Sequence, residues 1–239
     1  MLFFNKKKLV NVILKKYNQN FISDMTHQEI SKRIVWVDLE MTGLDIEKDH
    51  ILEIACLVTN ANLDIVAPGP NIIIHQPDEI LNAMNLWCVN QHGESGLTEA
   101  SRQSSISVQE AESQVLKFLS KHVHENRSPL AGNSVYMDRL FLRKYMPKLD
   151  SYLHYRIIDV STIKELAKRW YPQEFSRIPS KKFQHRCMND ILESVEEMKY
   201  YKENIFKKRH LCCEIVKYYY DCFVSLQSAN KKTFVTRWQ

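Results

Sequence analysis

Two carboxylates stand two residues apart in an apolar stretch near the start of the chain. Asp38 and Glu40 lie in the run VWVDLE at 35–40, whose β-branched and aromatic residues favour a strand. Side chains alternate along a strand, so both acids point to the same side. Carboxylates held this close repel one another unless a cation lies between them, which indicates a hard divalent metal with oxygen ligands. An edge hairpin with solvated acids would show the same spacing.

Three more polar residues fit the same chemistry. Asp138 lies about one helical turn beyond Ser134, near the start of a helix that follows a strand, so it would project at the carboxyl end of that strand, where α/β sheets bind ligands. Asp190 falls in the first turns of a long predicted helix. His185, five residues earlier, would point about 140° away on that helix, so it must lie in the preceding loop to share the site. Four carboxylates and a histidine suit two metal ions and a general base that takes the proton of a water molecule attacking a phosphodiester.

The elements that must position these groups follow in order along the chain. Strands are predicted at 34–39, 51–59 and 63–74, the last one broken at Pro68-Gly69-Pro70. Ser107 and Glu110 have the spacing of a capping box before a helix. Short strands at 130–132 and 157–160 each lead into a helix, and a long helix is expected from about 185 to 206, with Ile191, Leu192, Val195 and Met198 facing inward. Three antiparallel strands followed by βαβ pieces predict an α/β sheet covered on both faces.

The charge is unevenly distributed over the 239 residues. The chain carries +5 overall, yet residues 1–23 hold five Lys and no acid, and residues 207–239 hold seven basic and two acidic residues. The central part is therefore acidic, with a net charge of −5. Proteins that follow long nucleic acids neutralise many phosphates with a basic stripe, so any nucleic-acid substrate here should be short or gripped locally.

Cysteine spacing and hydropathy indicate the compartment class. The six cysteines show no C-x-x-C spacing, which favours free thiols in a reducing compartment. No stretch approaches the roughly 18 apolar residues of a membrane span. We therefore expect a soluble intracellular protein that does not insert into a membrane.

Four blocks in this chain resemble the oligoribonuclease family of 3′-to-5′ exonucleases. They are DLEMTGL at 38–44, GNSVYMD at 132–138, HYRIIDVST at 154–162 and HRCMND at 185–190. The resemblance covers about residues 32–208. It implies an RNase H-like fold, here a mixed five-stranded sheet flanked by helices. It also implies a homodimer with two Mg²⁺ or Mn²⁺ ions per site that degrades RNA fragments of 2–5 nucleotides to mononucleotides.

The resemblance also implies a role for each matched residue. Asp38, Glu40, Asp138 and Asp190 match the metal ligands, and His185 matches the general base. Leu44 matches a wedge between two bases, and Trp87 and His92 match residues that contact the substrate. A cap over the 5′ phosphate would consist of Ser134 and Ser161, together with Tyr155 and Arg156 from the partner subunit.

Two departures from the family pattern stand out. The family usually has H-x-A-x-D-D, whereas Cys187 and Asn189 replace the alanine and the first aspartate here. The ligand in that pattern is the second acid, which is Asp190 here, so metal binding should survive. Asn189 would loosen the ordering of the groups around the metal ligands. The other departure is the segment 209–239, which matches nothing in the family. An amphipathic helix packed on the body, a disordered tail and an atypical zinc site are the alternatives for it.

The expected cellular location of the protein depends on the N-terminal segment. We divide the chain into a basic extension at 1–31, an exonuclease domain at 32–208 and a tail at 209–239. Residues 1–24 have the charge of a mitochondrial presequence but contain no Arg, so mitochondrion and cytoplasm both remain open, as does a plain basic tail.

Two other functions fit parts of the pattern. One is an exonuclease that trims longer RNA or single-stranded DNA, which the acidic domain and the cap residues disfavour. The other is an inactive RNA-binding or scaffold protein, which would not require all five residues of the predicted site.

Overall fold

One mixed sheet of five strands forms the centre of the protein. The computed structural model describes residues 29–180 and 186–206. The strands are β1 (Ile34–Met41), β2 (Ile51–Thr59), β3 (Ile65–Ile73), β4 (Pro129–Gly132) and β5 (His154–Asp159), in the spatial order β3-β2-β1-β4-β5. The first three strands pair antiparallel, whereas β4 runs parallel to β1 and β5 runs parallel to β4. The predicted α/β class and the five-stranded mixed sheet are confirmed.

Nine helices surround this sheet in the described part of the chain. They are α1 (Asp78–Leu81), α2 (Leu86–Glu94), α3 (Leu97–Gln103), α4 (Val108–Leu119), α5 (Tyr136–Tyr145), α6 (Pro147–Tyr152), α7 (Val160–Trp170), α8 (Pro172–Phe175) and α9 (Cys187–Asn204). The predicted cap of α4 forms, since the Ser107 hydroxyl accepts the Glu110 N–H at 3.2 Å. The described residues contain no helix with the length and apolar character needed to cross a bilayer.

The two faces of the sheet bury separate apolar cores, as predicted. Val35, Val37 and Leu39 of β1 pack in the core that includes residues of α4 and α5. Trp36, on the opposite face, packs in the core that includes Cys187 at the start of α9. Because Asp38 and Glu40 share the parity of Trp36, both acids point to the side of the sheet that α9 covers.

Two details of the sequence prediction were wrong. The expected break at 68–70 is absent, because β3 continues through Pro68, Gly69 and Pro70 with an irregular register opposite Cys56. β3 is an edge strand, where a proline without an N–H need not cost a ladder hydrogen bond. Leu192 was expected to face inward but is 40% exposed, since Ile191 and Val195 occupy the buried side of α9.

The predicted end segments lie largely outside the described residues. The basic extension at 1–31 overlaps them only at residues 29–31, and the tail at 209–239 does not overlap them at all. The three-part division of the chain therefore stays a prediction.

Gly132 provides a test of how tightly β4 approaches β1. A Cβ at this position would lie 2.9 Å from the Val37 carbonyl oxygen, and backbone atoms there have little room to move. We expect Gly132→Ala to lower the free energy of unfolding by about 1–3 kcal/mol, the usual cost of overpacking. Urea denaturation measures this. Gly93→Ala is the matched control, because a Cβ there meets nothing within 4 Å. Equal stability of the two variants would contradict the close approach.

Candidate active site

Four carboxylates from three elements act on one another at the end of β1. Asp38 and Glu40 come from β1, Asp138 from α5 and Asp190 from the first turn of α9. The Leu39 N–H donates to Asp138 Oδ1 at 2.9 Å, which ties α5 to the strand. The charges of Asp138 and Asp190 both act on Asp38. We call these four residues the acid cluster.

Burial and mutual repulsion disfavour ionisation of the acid cluster. Burial is the main cause of an Asp38 pKa well above the ordinary 3.8, and the charges of Asp138 and Asp190 raise it further. Burial, followed by the charges of Asp38 and Asp190, raises the Glu40 pKa from 4.5 to about 8. Burial also raises the Asp138 pKa to about 8, against the Leu39 hydrogen bond. A divalent cation with oxygen ligands would let these groups ionise together, so the cluster fits such a metal.

A buried ion pair lies beside this cluster. Glu53 stands opposite Glu40 in the β1–β2 register and is fully buried. Arg186, the residue before α9, donates to both oxygens of Glu53, with Nε to Oε2 at 3.1 Å and Nη2 to Oε1 at 3.0 Å. The pair fixes the start of α9 against β2, and the charge of Arg186 lowers the Glu40 pKa.

The thiol of Cys187 lies beside Asp38 and Glu40. Its Sγ and a carboxylate oxygen from each of Asp38 and Glu40 all lie within 4.8 Å of one another. The thiol is fully buried, and its hydrogen bond to Asp38 offsets part of the rise that burial causes in the pKa of that carboxylate. Burial, followed by the negative charge of Asp38, holds the Cys187 pKa well above its usual value, so the thiol is protonated beside the carboxylates.

A pocket of about 450 Å³ opens next to Glu40. Three of the predicted substrate residues line it, namely Leu44, Trp87 and His92. The Leu44 and Trp87 side chains are 66% and 60% exposed. The buried His92 ring places Nε2 2.8 Å from the Met41 carbonyl oxygen, which only accepts, so Nε2 carries the proton. Nδ1 then faces Glu40 Oε2 at 4.0 Å.

Hydrogen bonds between residues of the same loop hold the segment that carries Leu44. Asp49 Oδ1 accepts the Thr42 hydroxyl at 2.8 Å, and Oδ2 accepts the Asp45 N–H at 2.9 Å. A Cβ at Gly43 would lie 2.4 Å from that carboxylate, so a larger residue would displace Asp49 from these hydrogen bonds. Leu44 is therefore held at the rim of the pocket without being buried.

The structure also brings Ser134 and Ser161 together. The Ser134 N–H donates to Ser161 Oγ at 2.9 Å and to Asp159 Oδ1 at 3.0 Å. Ser134 has a φ of +51°, a conformation that costs a residue with a side chain about 1–3 kcal/mol. Ser161 donates to Asn133 Oδ1 at 3.1 Å, and Asn133 Nδ2 donates to Ser194 Oγ at 2.6 Å. The Ser194 hydroxyl then donates to the Asp190 carbonyl oxygen at 2.7 Å, so hydrogen bonds connect the two serines to a member of the acid cluster.

The remaining predicted site residues lie elsewhere. Tyr155 and Arg156 are exposed on β5, at an edge of the sheet, with the Arg156 Cζ 5.3 Å from the Tyr155 ring centre. Neither lines the Leu44 pocket. His185, the predicted base, lies outside the described residues.

Sequence reasoning missed Glu53, Asn133 and the sulfur contribution of Cys187. Glu53 was readable as the single acid within the apolar strand ILEIACLVT, and its registry with Glu40 would have placed it at the site. Asn133 was quoted within its motif but received no role. Cys187 was noted as a departure, but its proximity to Asp38 required knowledge of how α9 begins.

Comparison with known proteins places this chain in a class. The family model described as "Exonuclease" matches residues 35–198. An exonuclease I from Methylocaldum szegediense superposes with a TM-score of 0.57 at 13% identity, over 73% of this chain and 41% of that one. The chain thus spans well under half of that structure, and the likeness concerns the fold alone. The protein is a nuclease with an exonuclease domain.

Closer relatives define the family. The mitochondrial oligoribonuclease of Homo sapiens is 54% identical over 182 residues, covering 76% of this chain and 77% of that one. The probable oligoribonuclease of Dictyostelium discoideum is 56% identical over 179 residues, covering 75% and 93%. The chain belongs to the oligoribonuclease family, as its sequence motifs predicted. It is a hydrolase with 3′-to-5′ exoribonuclease activity.

The raised pKa values predict an unusual dependence of stability on pH. Glu40 and Asp138 release their protons near 8 in the folded chain but near 4.5 and 3.8 in the unfolded chain. Their contribution is therefore present at low pH and is lost as the pH rises towards 8. We expect the melting temperature of the metal-free protein to fall over this range, and Mg²⁺ to reverse the fall. Calorimetry with and without a chelator measures it.

Glu40→Gln serves as the control for this pH dependence. It removes one of the titrating groups, so its melting temperature should fall less steeply with pH than that of the wild type. A wild-type slope identical to that of Glu40→Gln would contradict the assignment.

Proposed function

We propose that this exoribonuclease hydrolyses RNA fragments of 2–5 nucleotides, down to dinucleotides, to 5′-mononucleotides with the aid of two divalent cations. The observation that carries the proposal is the acid cluster, in which Asp138 and Asp190 act on Asp38 across three elements. The Leu44 pocket beside it is in the size range of pockets for small ligands. The acidic central charge also fits a substrate gripped at a few points.

The acid cluster would hold the cations, which we take to be Mg²⁺ or Mn²⁺. Asp38, Glu40, Asp138 and Asp190 supply hard oxygen donors of the kind that both ions accept. When bound, the ions would neutralise these carboxylates and stabilise the charge that develops on the phosphate oxygens. Arg186 is bound to Glu53, so the charge of this guanidinium compensates only part of the charge of the cluster.

His185 is proposed as the general base. It directly precedes Arg186, whose guanidinium is anchored to Glu53 at the start of α9. A neutral imidazole at this point of the chain would take the proton of the attacking water, so turnover should rise with pH as the ring loses its proton.

Leu44, Trp87 and His92 would receive the bases of the substrate. Leu44 is exposed at the rim and would insert between two bases, while the exposed face of Trp87 offers a stacking surface. His92 is buried and oriented by Met41, so it would limit the depth of the pocket next to Glu40.

Ser134 and Ser161 would receive the 5′ phosphate. Their hydroxyls lie 3.1 Å apart and are oriented by backbone and side-chain hydrogen bonds. β5 ends the sheet on this side, and its exposed Tyr155 and Arg156 leave a strand edge able to meet a second copy. We propose a homodimer in which Tyr155 and Arg156 of each subunit complete the cap of the other and so disfavour longer strands.

The protein would act in mitochondria, the cytoplasm or both. Human, bovine and mouse relatives carry the name mitochondrial oligoribonuclease. Residues 1–24 would serve as the presequence, and a fusion of this segment to a fluorescent reporter would test it.

Two substitutions separate metal binding from proton transfer. Asp38→Asn should abolish detectable hydrolysis and weaken Mg²⁺ binding by more than about tenfold, because it removes a ligand. His185→Ala should reduce turnover by about 10²- to 10⁴-fold while Mg²⁺ affinity is kept. Mg²⁺ titration calorimetry and hydrolysis of a 5′-phosphorylated RNA dinucleotide measure both effects.

Glu203→Gln, at an exposed position late in α9, is the control and should behave like the wild type. Full hydrolysis by Asp38→Asn would disprove the assigned chemistry. A large loss of Mg²⁺ binding in His185→Ala would make that residue a ligand instead.

Ser134→Ala tests the proposed cap. Loss of a hydrogen bond to a charged phosphate should lower kcat/KM for a 5′-phosphorylated dinucleotide by about 10- to 100-fold and leave its 5′-hydroxyl analogue nearly unchanged. Ser113→Ala, on the exposed side of α4, is the matched control. If the wild type releases nucleotides faster from a twenty-nucleotide strand than from the dinucleotide, the proposed preference for short RNA is wrong.

A further inference from the structure

Cys187 is the feature of the active site that hydrolysis does not require. Its Sγ lies with carboxylate oxygens of Asp38 and Glu40 inside 4.8 Å. Cys56 and Cys88 are also buried free thiols, but neither belongs to a group of this kind among the described residues. Alanine at position 187, which the family motif leads one to expect, would contribute no donor atom.

The donor set decides which cations such a site favours. Oxygen ligands alone suit Mg²⁺ and Mn²⁺, whereas a sulfur ligand adds affinity for Zn²⁺, Co²⁺ and Cd²⁺. Zinc bonds of about 2.0–2.3 Å set the ligand atoms of a tetrahedral ion roughly 3.3–3.8 Å apart. The three atoms of Asp38, Glu40 and Cys187 all lie within 4.8 Å of one another, so side-chain adjustments would bring them to this spacing around one ion.

We propose that Cys187 turns this centre into a binding site for thiophilic divalent cations, Zn²⁺ above all, that compete with the cation used for hydrolysis. The inference rests on the proposed metal-binding role of Asp38 and Glu40. Zn²⁺ would take one carboxylate oxygen from each acid and the sulfur of Cys187, whose proton passes to the buffer. Zn²⁺ bound in this way withdraws both carboxylates from Mg²⁺, so micromolar zinc inhibits the enzyme.

Spectroscopy of the Co²⁺ form provides a readout that does not depend on activity. Sulfur ligation of Co²⁺ gives a thiolate-to-metal charge-transfer band in the near ultraviolet. The full-length, metal-free protein titrated with Co²⁺ should develop this band, and Cys187→Ala should lose the part that titrates with the active site. Cys88→Ser, which changes a buried thiol in the neighbouring pocket, is the matched control and should keep the band.

The affinity of the protein for Zn²⁺ provides a quantitative test of the same proposal. Competition with a chromophoric chelator should show Zn²⁺ binding weakened by at least about tenfold in Cys187→Ala, with Mg²⁺ affinity unchanged within about twofold. The zinc concentration that halves hydrolysis in Mg²⁺ should rise by a similar factor. Cys187→Ser, nearly isosteric with the wild type, gives the same comparison if the alanine variant folds poorly.

The outcomes distinguish this inference from the proposed function. Equal bands and equal Zn²⁺ affinities in the wild type and both Cys187 variants would overturn the sulfur-ligand proposal while leaving the hydrolytic assignment intact. Full Mg²⁺-dependent hydrolysis by Asp38→Asn would instead contradict the metal-binding role of Asp38, on which both proposals rest.

Discussion

The repulsion between carboxylates that are close together and largely shielded from water is the constraint on which this candidate active site depends. Asp38, Glu40 and Asp138 all have pKa values above their ordinary range because burial and neighbouring charges disfavour ionisation. Arg186 acts on Glu40, but its guanidinium is already bound to Glu53. The fold thus assembles carboxylates that do not readily ionise together, and a divalent cation is the partner that would let them do so.

The sheet order explains how residues distant in sequence reach one place. β1 lies between the antiparallel β2 and the parallel β4, so the carboxyl ends of β1 and β4 coincide. Asp138, at the start of the helix that follows β4, therefore reaches the Leu39 N–H. α9 packs on the face of β1 that carries Asp38 and Glu40, so Asp190 in its first turn approaches these two acids. A one-residue slip of β1 would turn both acids into the opposite core.

The sequence predicted what depends on short-range pattern. Alternation placed Asp38 and Glu40 on one face, and β2 was predicted with its observed bounds because nine residues between turn signals carry a strong strand pattern. Contacts between distant residues were not predictable in this way. Glu53 and Arg186 pair across 133 positions, and Leu192 is exposed because the direction of α9 depends on the sheet below it. Whether Pro68 interrupts β3 depends on whether the strand lies at an edge, which no local pattern reveals.

The hydrogen bonds around Asn133 connect the residues that follow β4 to the start of α9. Asn133 accepts from Ser161 through its oxygen and donates to Ser194 through its nitrogen, so its amide has a single satisfactory orientation. Ser194 in turn donates to the carbonyl of Asp190. These hydrogen bonds connect Ser134 and Ser161 to the first turn of α9, from which Asp190 projects, so the position of this turn depends on the residues that follow β4.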